Sequence, residues 1–110
     1  MKKRKKRFPS FVAIARATLL DPNWRKLGPS SKVLYLHLKS KFVGHNNGEL
    51  CLRYCELKDF MSPPTISDAF KELVEVGWIT KDHIVGGKHR FTVYYALTGK
   101  YDETISRYGF

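Results

Sequence analysis

The sequence predicts a mainly helical α+β domain closed by one antiparallel β-hairpin. Three observations carry that expectation. Apolar residues recur at helical spacing over residues 31–43 and again over 63–76. The second run is bracketed by Ser62-Pro63 and Gly77, a start and a stop signal. Two β-rich runs, 78–85 and 88–97, then flank Gly86-Gly87, which reads as a two-residue turn. The length of 110 residues suits one domain, and 43% hydrophobic with 14% aromatic content can build a core.

Lys2, Lys3, Arg4, Lys5, Lys6 and Arg7 form an unbroken cationic block, so residues 1–7 read as a flexible arm. Residues 8–99 are expected to form the globular domain, and 100–110 a tail without clear periodicity. Phe11, Val12, Ile14, Leu19 and Leu20 punctuate a stretch expected to start extended and to finish as a short helix over 15–20. Asp21-Pro22 interrupts it, and Trp24 anchors the linking piece 23–27. Gly28-Pro29-Ser30-Ser31 then opens a helix, with Ser30 or Ser31 as the expected cap. Its apolar face is read as Val33, Leu34, Leu36, His37, Leu38 and Phe42.

Asn46-Asn47-Gly48 supplies turn chemistry, because these residues tolerate positive φ. Leu50-Cys51-Leu52 reads as a short strand, and residues 53–60 as a short helix with Leu57 and Phe60 inward. Ser62 caps the next helix, and Pro63 occupies the first helical position, where a missing amide costs nothing. Ile66, Ala69, Phe70, Leu73 and Val76 form its buried face.

Helix, short strand, short helix, turn, capped helix and hairpin is the order of a winged helix-turn-helix, a three-helix core plus a wing. That layout suits double-stranded DNA. A helix fits the major groove and reaches base edges with the side chains of its first turns. Its free N-terminal amides also favour phosphate. On residues 63–76 the outward set is Pro64, Thr65, Ser67, Asp68, Lys71, Glu72 and Glu75. Thr65, Ser67, Asp68 and Lys71 offer a hydroxyl pair, an acceptor for cytosine and a donor for guanine or phosphate. Glu72 and Glu75 are expected to face away from phosphate. Arg53, Ser62 and Pro64 complete the expected contacts on this side, and Lys88, His89 and Arg90 supply the wing tip. Lys81 and His83 lie on the same hairpin. The arm Lys2–Arg7 is expected on the backbone or in a minor groove.

The charge balance agrees with a polyanion partner. The formal net charge is +10, from 20 Lys+Arg against 10 Asp+Glu. The arm holds six of those cations, which leaves 14 against 10 elsewhere. The basic run has no interleaved apolar face and no apolar run approaches the ~20 residues of a membrane span, so no membrane partner is expected.

Several pieces resemble a known group. They are Phe11-Val12-x-Ile14, Leu19-Leu20-x-Pro22-x-Trp24-x-x-Leu27, Ser30-x-x-x-Leu34-Tyr35-x-x-Leu38 and Asn46-Asn47-Gly48-x-Leu50. The last piece is Ser62-x-x-Thr65-Ile66-Ser67-x-Ala69-Phe70-x-x-Leu73-x-x-x-Gly77-Trp78-Ile79. Together they resemble the winged-helix domains of plasmid and phage replication proteins and related phage helix-turn-helix proteins. The resemblance implies a winged-helix fold and DNA binding, in replication initiation or in transcription regulation. Pro63-Pro64 departs from it, since such helices often begin with Lys or Arg.

No enzyme, cofactor or metal site is expected. Cys51-x-x-x-Cys55 has no second close pair of ligands, and two cysteines are too few for a disulfide framework. They read as thiols in a reducing cytoplasm, with the protein on the nucleoid. No Gly-rich phosphate loop or convincing carboxylate pair is present. The competing expectation is a winged helix that docks a replication or transcription protein, motivated by Glu72, Glu75, Tyr101, Tyr108 and Phe110. A homodimer reading two half-sites is compatible with either.

Overall fold

A computed structural model of the chain describes residues 11–87 and 91–99. These form an α+β domain of five helices and one two-stranded antiparallel hairpin. The helices are α1 (Arg16–Leu20), α2 (Pro22–Arg25), α3 (Pro29–Lys39), α4 (Tyr54–Leu57) and α5 (Pro63–Val76), followed by strands β1 (Ile79–Gly86) and β2 (Phe91–Leu97). The arm 1–7, the hairpin residues 88–90 and the tail 100–110 lie outside the described residues.

Asp21 separates the first two helices. It ends α1, and its carboxylate accepts from the Asn23 amide at 2.7 Å to cap α2 ahead of Pro22. The expected linking piece is therefore one helical turn, and it buries Trp24 as expected. Trp24, Tyr35 and Trp78 meet edge to face, with ring centroids 5.3 to 6.1 Å apart.

α3 begins earlier and ends sooner than the 31–43 expected from periodicity. Pro29 occupies the first turn and Gly28 the cap position, with no side-chain cap of its own. Ser30 and Ser31 are thus not its caps. The inward residues are Leu34, Tyr35 and Leu38, whereas Leu36 and His37 face out. The aromatic cluster recruits Tyr35, which an apolar count of the helix face passes over.

α5 packs across α3 through Ile66, Ala69 and Leu73, with Phe70 and Val76 half-buried at the margins. Its ends follow the sequence. The Ser62 hydroxyl accepts from the Thr65 amide, Pro63 fills the first turn, and Gly77 adopts φ 96°. The Gly77 and Trp78 amides both donate to the Leu73 carbonyl, which closes the helix and swings Trp78 into the core.

Three shorter elements differ from expectation. α4 is one turn rather than residues 53–60; Leu57 is buried, but Phe60 is 51% exposed and Met61 takes the inward place. The chain turns at 58–60, so the helical periodicity that pointed Phe60 inward ends before it. The strand expected at 50–52 shrinks to a single antiparallel bridge from Leu50 to Tyr95, with backbone bonds of 2.7 and 3.2 Å. The hairpin register pairs Gly86 with Phe91, so Gly86 belongs to β1 rather than to a two-residue Gly86-Gly87 turn.

The base of the hairpin completes the core through Ile79, Tyr95 and Leu97. Its register slips at Asp82, which lies between the pairs Lys81–Tyr95 and His83–Tyr94. Asp82 sits against Gly48, where an added Cβ would lie 3.2 Å from the carboxylate and φ is 95°. Asn47 acts as a further rung beside β2. Its side-chain amide accepts from the Leu97 N–H at 2.7 Å and donates to the Leu97 carbonyl at 3.0 Å.

Candidate nucleic-acid interface

Helical geometry sorts the expected contact residues of α5 into three lines. Pro64, Asp68, Lys71 and Glu75 fall at i, i+4, i+7 and i+11, and all four are exposed. This stripe faces away from the Ile66–Ala69–Leu73 core line. Thr65, Asp68 and Glu72 border the N-terminus of α3, in a hollow shared with Gly28, Pro29, Ser30 and Ser31. Ser67 and Lys71 border the hairpin instead.

The first turn of α5 is tied up locally. The Ser62 and Thr65 hydroxyls lie 2.9 Å apart, and Ser62 holds the Thr65 amide. Ser62 and Pro64 are exposed, while Thr65 and Ser67 are half-buried. Pro63 and Pro64 carry no N–H, so this helix start presents few amides to a phosphate. Asp68, Lys71 and Glu75 are the exposed charged groups of α5.

Glu72 turns to the start of α3. Its carboxylate accepts from the Gly28 amide at 3.1 Å and from the Ser31 hydroxyl, so it caps α3 from a distant helix. The Ser31 hydroxyl first, and then the Gly28 amide, hold its carboxyl below the ordinary glutamate value. The anion-seeking end of α3 is therefore already occupied by a carboxylate of this chain.

Arg53 precedes α4 and is exposed; its amide donates to the Glu56 carboxylate at 3.1 Å. Glu56 also pairs with Lys41 at 2.5 Å, and Lys41 first, then the Arg53 amide, lower its pKa. That pair pins the α4 turn to the end of α3. On the hairpin, His83 stacks on Tyr94 with ring centroids 4.8 Å apart and meets Asp82 at 2.6 Å.

The described residues hold ten Lys+Arg against eight Asp+Glu, a net of +2. Most of the surplus positive charge thus belongs to Lys2, Lys3, Arg4, Lys5, Lys6 and Arg7, and to Lys88 and Arg90 with His89 between them. All of these lie outside the described residues. The exposed stripe of α5 carries two carboxylates and one amine, a net charge of −1.

One feature of this side was not legible beforehand. A groove of about 340 Å³ runs between α5 and the hairpin, lined by Tyr54, Ser67, Phe70, Lys71, Lys81 and Tyr95 among others. Phe70 and Tyr95 stack in its lining, 4.5 Å apart and 9° from parallel. Burial, and then the nearby Tyr54, push the Tyr95 phenol above its ordinary pKa. Tyr54, Phe70 and Tyr95 come from three elements, and no local spacing links them.

Among the described residues, no group of three or more His, Cys, Asp or Glu side chains could hold a metal ion. Cys51 is half-buried and Cys55 exposed, both as free thiols. No helix among the described residues is long and apolar enough to cross a membrane. Compared with protein-family models, curated proteins and solved structures, the chain matches none of them.

Proposed function

We propose that this chain binds double-stranded DNA as a winged helix-turn-helix protein. In this reading α5 enters the major groove, and the hairpin and basic arm lie on the backbone or in a minor groove. One observation carries it. α5 is a 14-residue helix, about 21 Å long, whose Pro64–Asp68–Lys71–Glu75 stripe is exposed while the hairpin follows directly after Gly77. A long exposed helix beside a projecting ribbon matches the two surfaces that a duplex offers, a groove and its flanking phosphates.

Labour divides along the charge distribution. The arm and the residues at the hairpin tip supply attraction, while Asp68 and Lys71 supply discrimination, by accepting from cytosine and donating to guanine. The protein would then serve as a replication initiator or a transcriptional regulator on the nucleoid, with two copies reading paired half-sites. Selection of bound duplexes from a random pool tests this. Lys71→Ala is expected to lose sequence preference, and removal of residues 2–7 to lose affinity while keeping preference. Equal binding to unrelated duplexes, with no site enriched, would sink the specific reading.

A second reading, a protein-docking module, rests on the distal hairpin. Ile84 is 60% exposed and Phe91 65% exposed, with Val85 beside them. Absence of any gel shift at low salt, with a stable complex to a replication or transcription protein, would favour it. Glu72 no longer supports that reading, because α3 already engages its carboxylate.

A further inference from the structure

We propose that the groove between α5 and the hairpin binds one unpaired nucleotide, its base against the aromatic side chains and its phosphate at Lys81. The argument begins with the walls. Phe70 and Tyr95 stack face to face in the lining, each covering one face of the other, and Tyr54 is 51% exposed beside them. The face of the exposed Tyr54 ring and the edges of the stacked pair are what a planar guest can meet. Val74 closes the apolar side.

The polar groups are few and set at the margin. Lys71 and Lys81 lie on opposite elements, α5 and β1, and both are exposed. Neither forms an ion pair among the described residues. Glu75 is the one carboxylate in the lining, so the groove carries a net charge of +1. Ser67 adds a hydroxyl on the α5 side. A planar aromatic guest with an anionic group satisfies both halves of this lining.

Size sets the scale of the guest. About 340 Å³ is near the lower end for small-molecule sites, room for one base with its sugar rather than a run of bases. Base–aromatic stacking tolerates every base, because each has a π-face. Choosing a nucleotide over other aromatic anions rests on the DNA-binding reading above. The nucleotide could be free or could be an unpaired unit of a strand, and the two sources are separable.

Anisotropy is measured on one duplex, blunt or carrying a three-nucleotide overhang. The wild type is expected to bind the overhang form about tenfold more tightly, the effect of one base–aromatic stack. Tyr54→Ala should abolish that gain and leave blunt-duplex affinity within about twofold, while Tyr54→Phe should restore it. Far-UV circular dichroism checks that both variants fold. In parallel, deoxyadenosine 5′-monophosphate is titrated with amide shifts recorded. Shifts at Tyr54, Lys71, Lys81 and Tyr95 identify a site open to free nucleotide. An overhang gain without them identifies a site used only within a strand.

Equal affinity for both duplexes, together with no groove shifts, would overturn the proposal. So would a Tyr54→Ala variant that weakens both duplexes equally. If no duplex binds but the mononucleotide still maps to the groove, the duplex reading fails and this one stands. Specific duplex binding with a silent groove gives the reverse.

Discussion

Replacing Glu72 by Ala should destabilise the fold by about 2 kcal/mol, more than a half-exposed glutamate ordinarily would. The carboxylate accepts two hydrogen bonds on one oxygen, from the Gly28 amide and the Ser31 hydroxyl at the start of α3. Bonds to a charged acceptor contribute ~1.5–3 kcal/mol when desolvated. Here one oxygen is shared and water reaches the site, so about 1 kcal/mol for each is the appropriate end of the range. The residue also supplies the cap that Gly28 lacks, and cap removal typically costs ~1 kcal/mol, which overlaps the same two bonds. The better helix propensity of Ala returns a few tenths. Glu72→Gln keeps an acceptor oxygen at the same reach and should lose about half as much.

Urea unfolding followed by tryptophan fluorescence reads this directly, because Trp24 and Trp78 are both buried. The pH dependence supplies a second reading. The folded-state pKa of Glu72 is lowered, so its stabilisation is present above the ordinary value of 4.5 and is lost as pH falls through the folded pKa. The stability gap between wild type and Glu72→Gln should therefore narrow between pH 5 and pH 3. Glu56 titrates with the same sign but is common to both proteins and cancels. A Glu72→Ala variant within about 0.5 kcal/mol of wild type at pH 7 would refute the reasoning, as would a gap that widens on acidification.

Three further outcomes are expected. Gly77→Ala should cost ~1–2 kcal/mol in thermal or urea unfolding; its φ is 96° and no atom lies within 4 Å of an added Cβ, so the cost is backbone strain alone. Asn47→Ala removes both bonds to the Leu97 backbone and should cost ~1–2 kcal/mol, with faster amide exchange at Leu97 while the Tyr95 amide stays protected by Leu50. Removal of residues 2–7 should make the slope of log affinity against log salt shallower on any duplex, by up to about 5 if all six cations lie on phosphates.

Local chemistry made much of the fold legible. Ser62-Pro63 and Gly77 bound α5 as read, because a capping hydroxyl, a residue without an amide and a residue tolerant of positive φ act within one turn of themselves. Periodicity found its buried line Ile66–Ala69–Leu73 for the same reason. Where several local solutions existed, periodicity misled. The helix face whose apolar spacing includes Leu36 and His37 turns instead on Tyr35, which packs against Trp24 and Trp78. Phe60 lost its inward place to Met61 because α4 ends after one turn.

The candidate site shows the same divide. That Asp68 and Lys71 share an exposed stripe follows from their spacing on one helix, and the concentration of cations in residues 2–7 and 88–90 follows from composition. The cap that Glu72 places on α3, the Asn47 rung against Leu97, and the meeting of Tyr54 with Phe70 and Tyr95 do not follow from either. Each joins residues distant in sequence, and each depends on the angle at which α5 crosses α3 or on the register of β2. Sequence alone located the two long helices, where α5 starts and stops, and where the charge lies, since these depend on neighbours along the chain. Only the tertiary structure decided which polar groups are spent on holding the fold and which remain at the surface to meet a ligand, because a hydrogen bond between distant elements exists only once packing brings them within 3 Å or so.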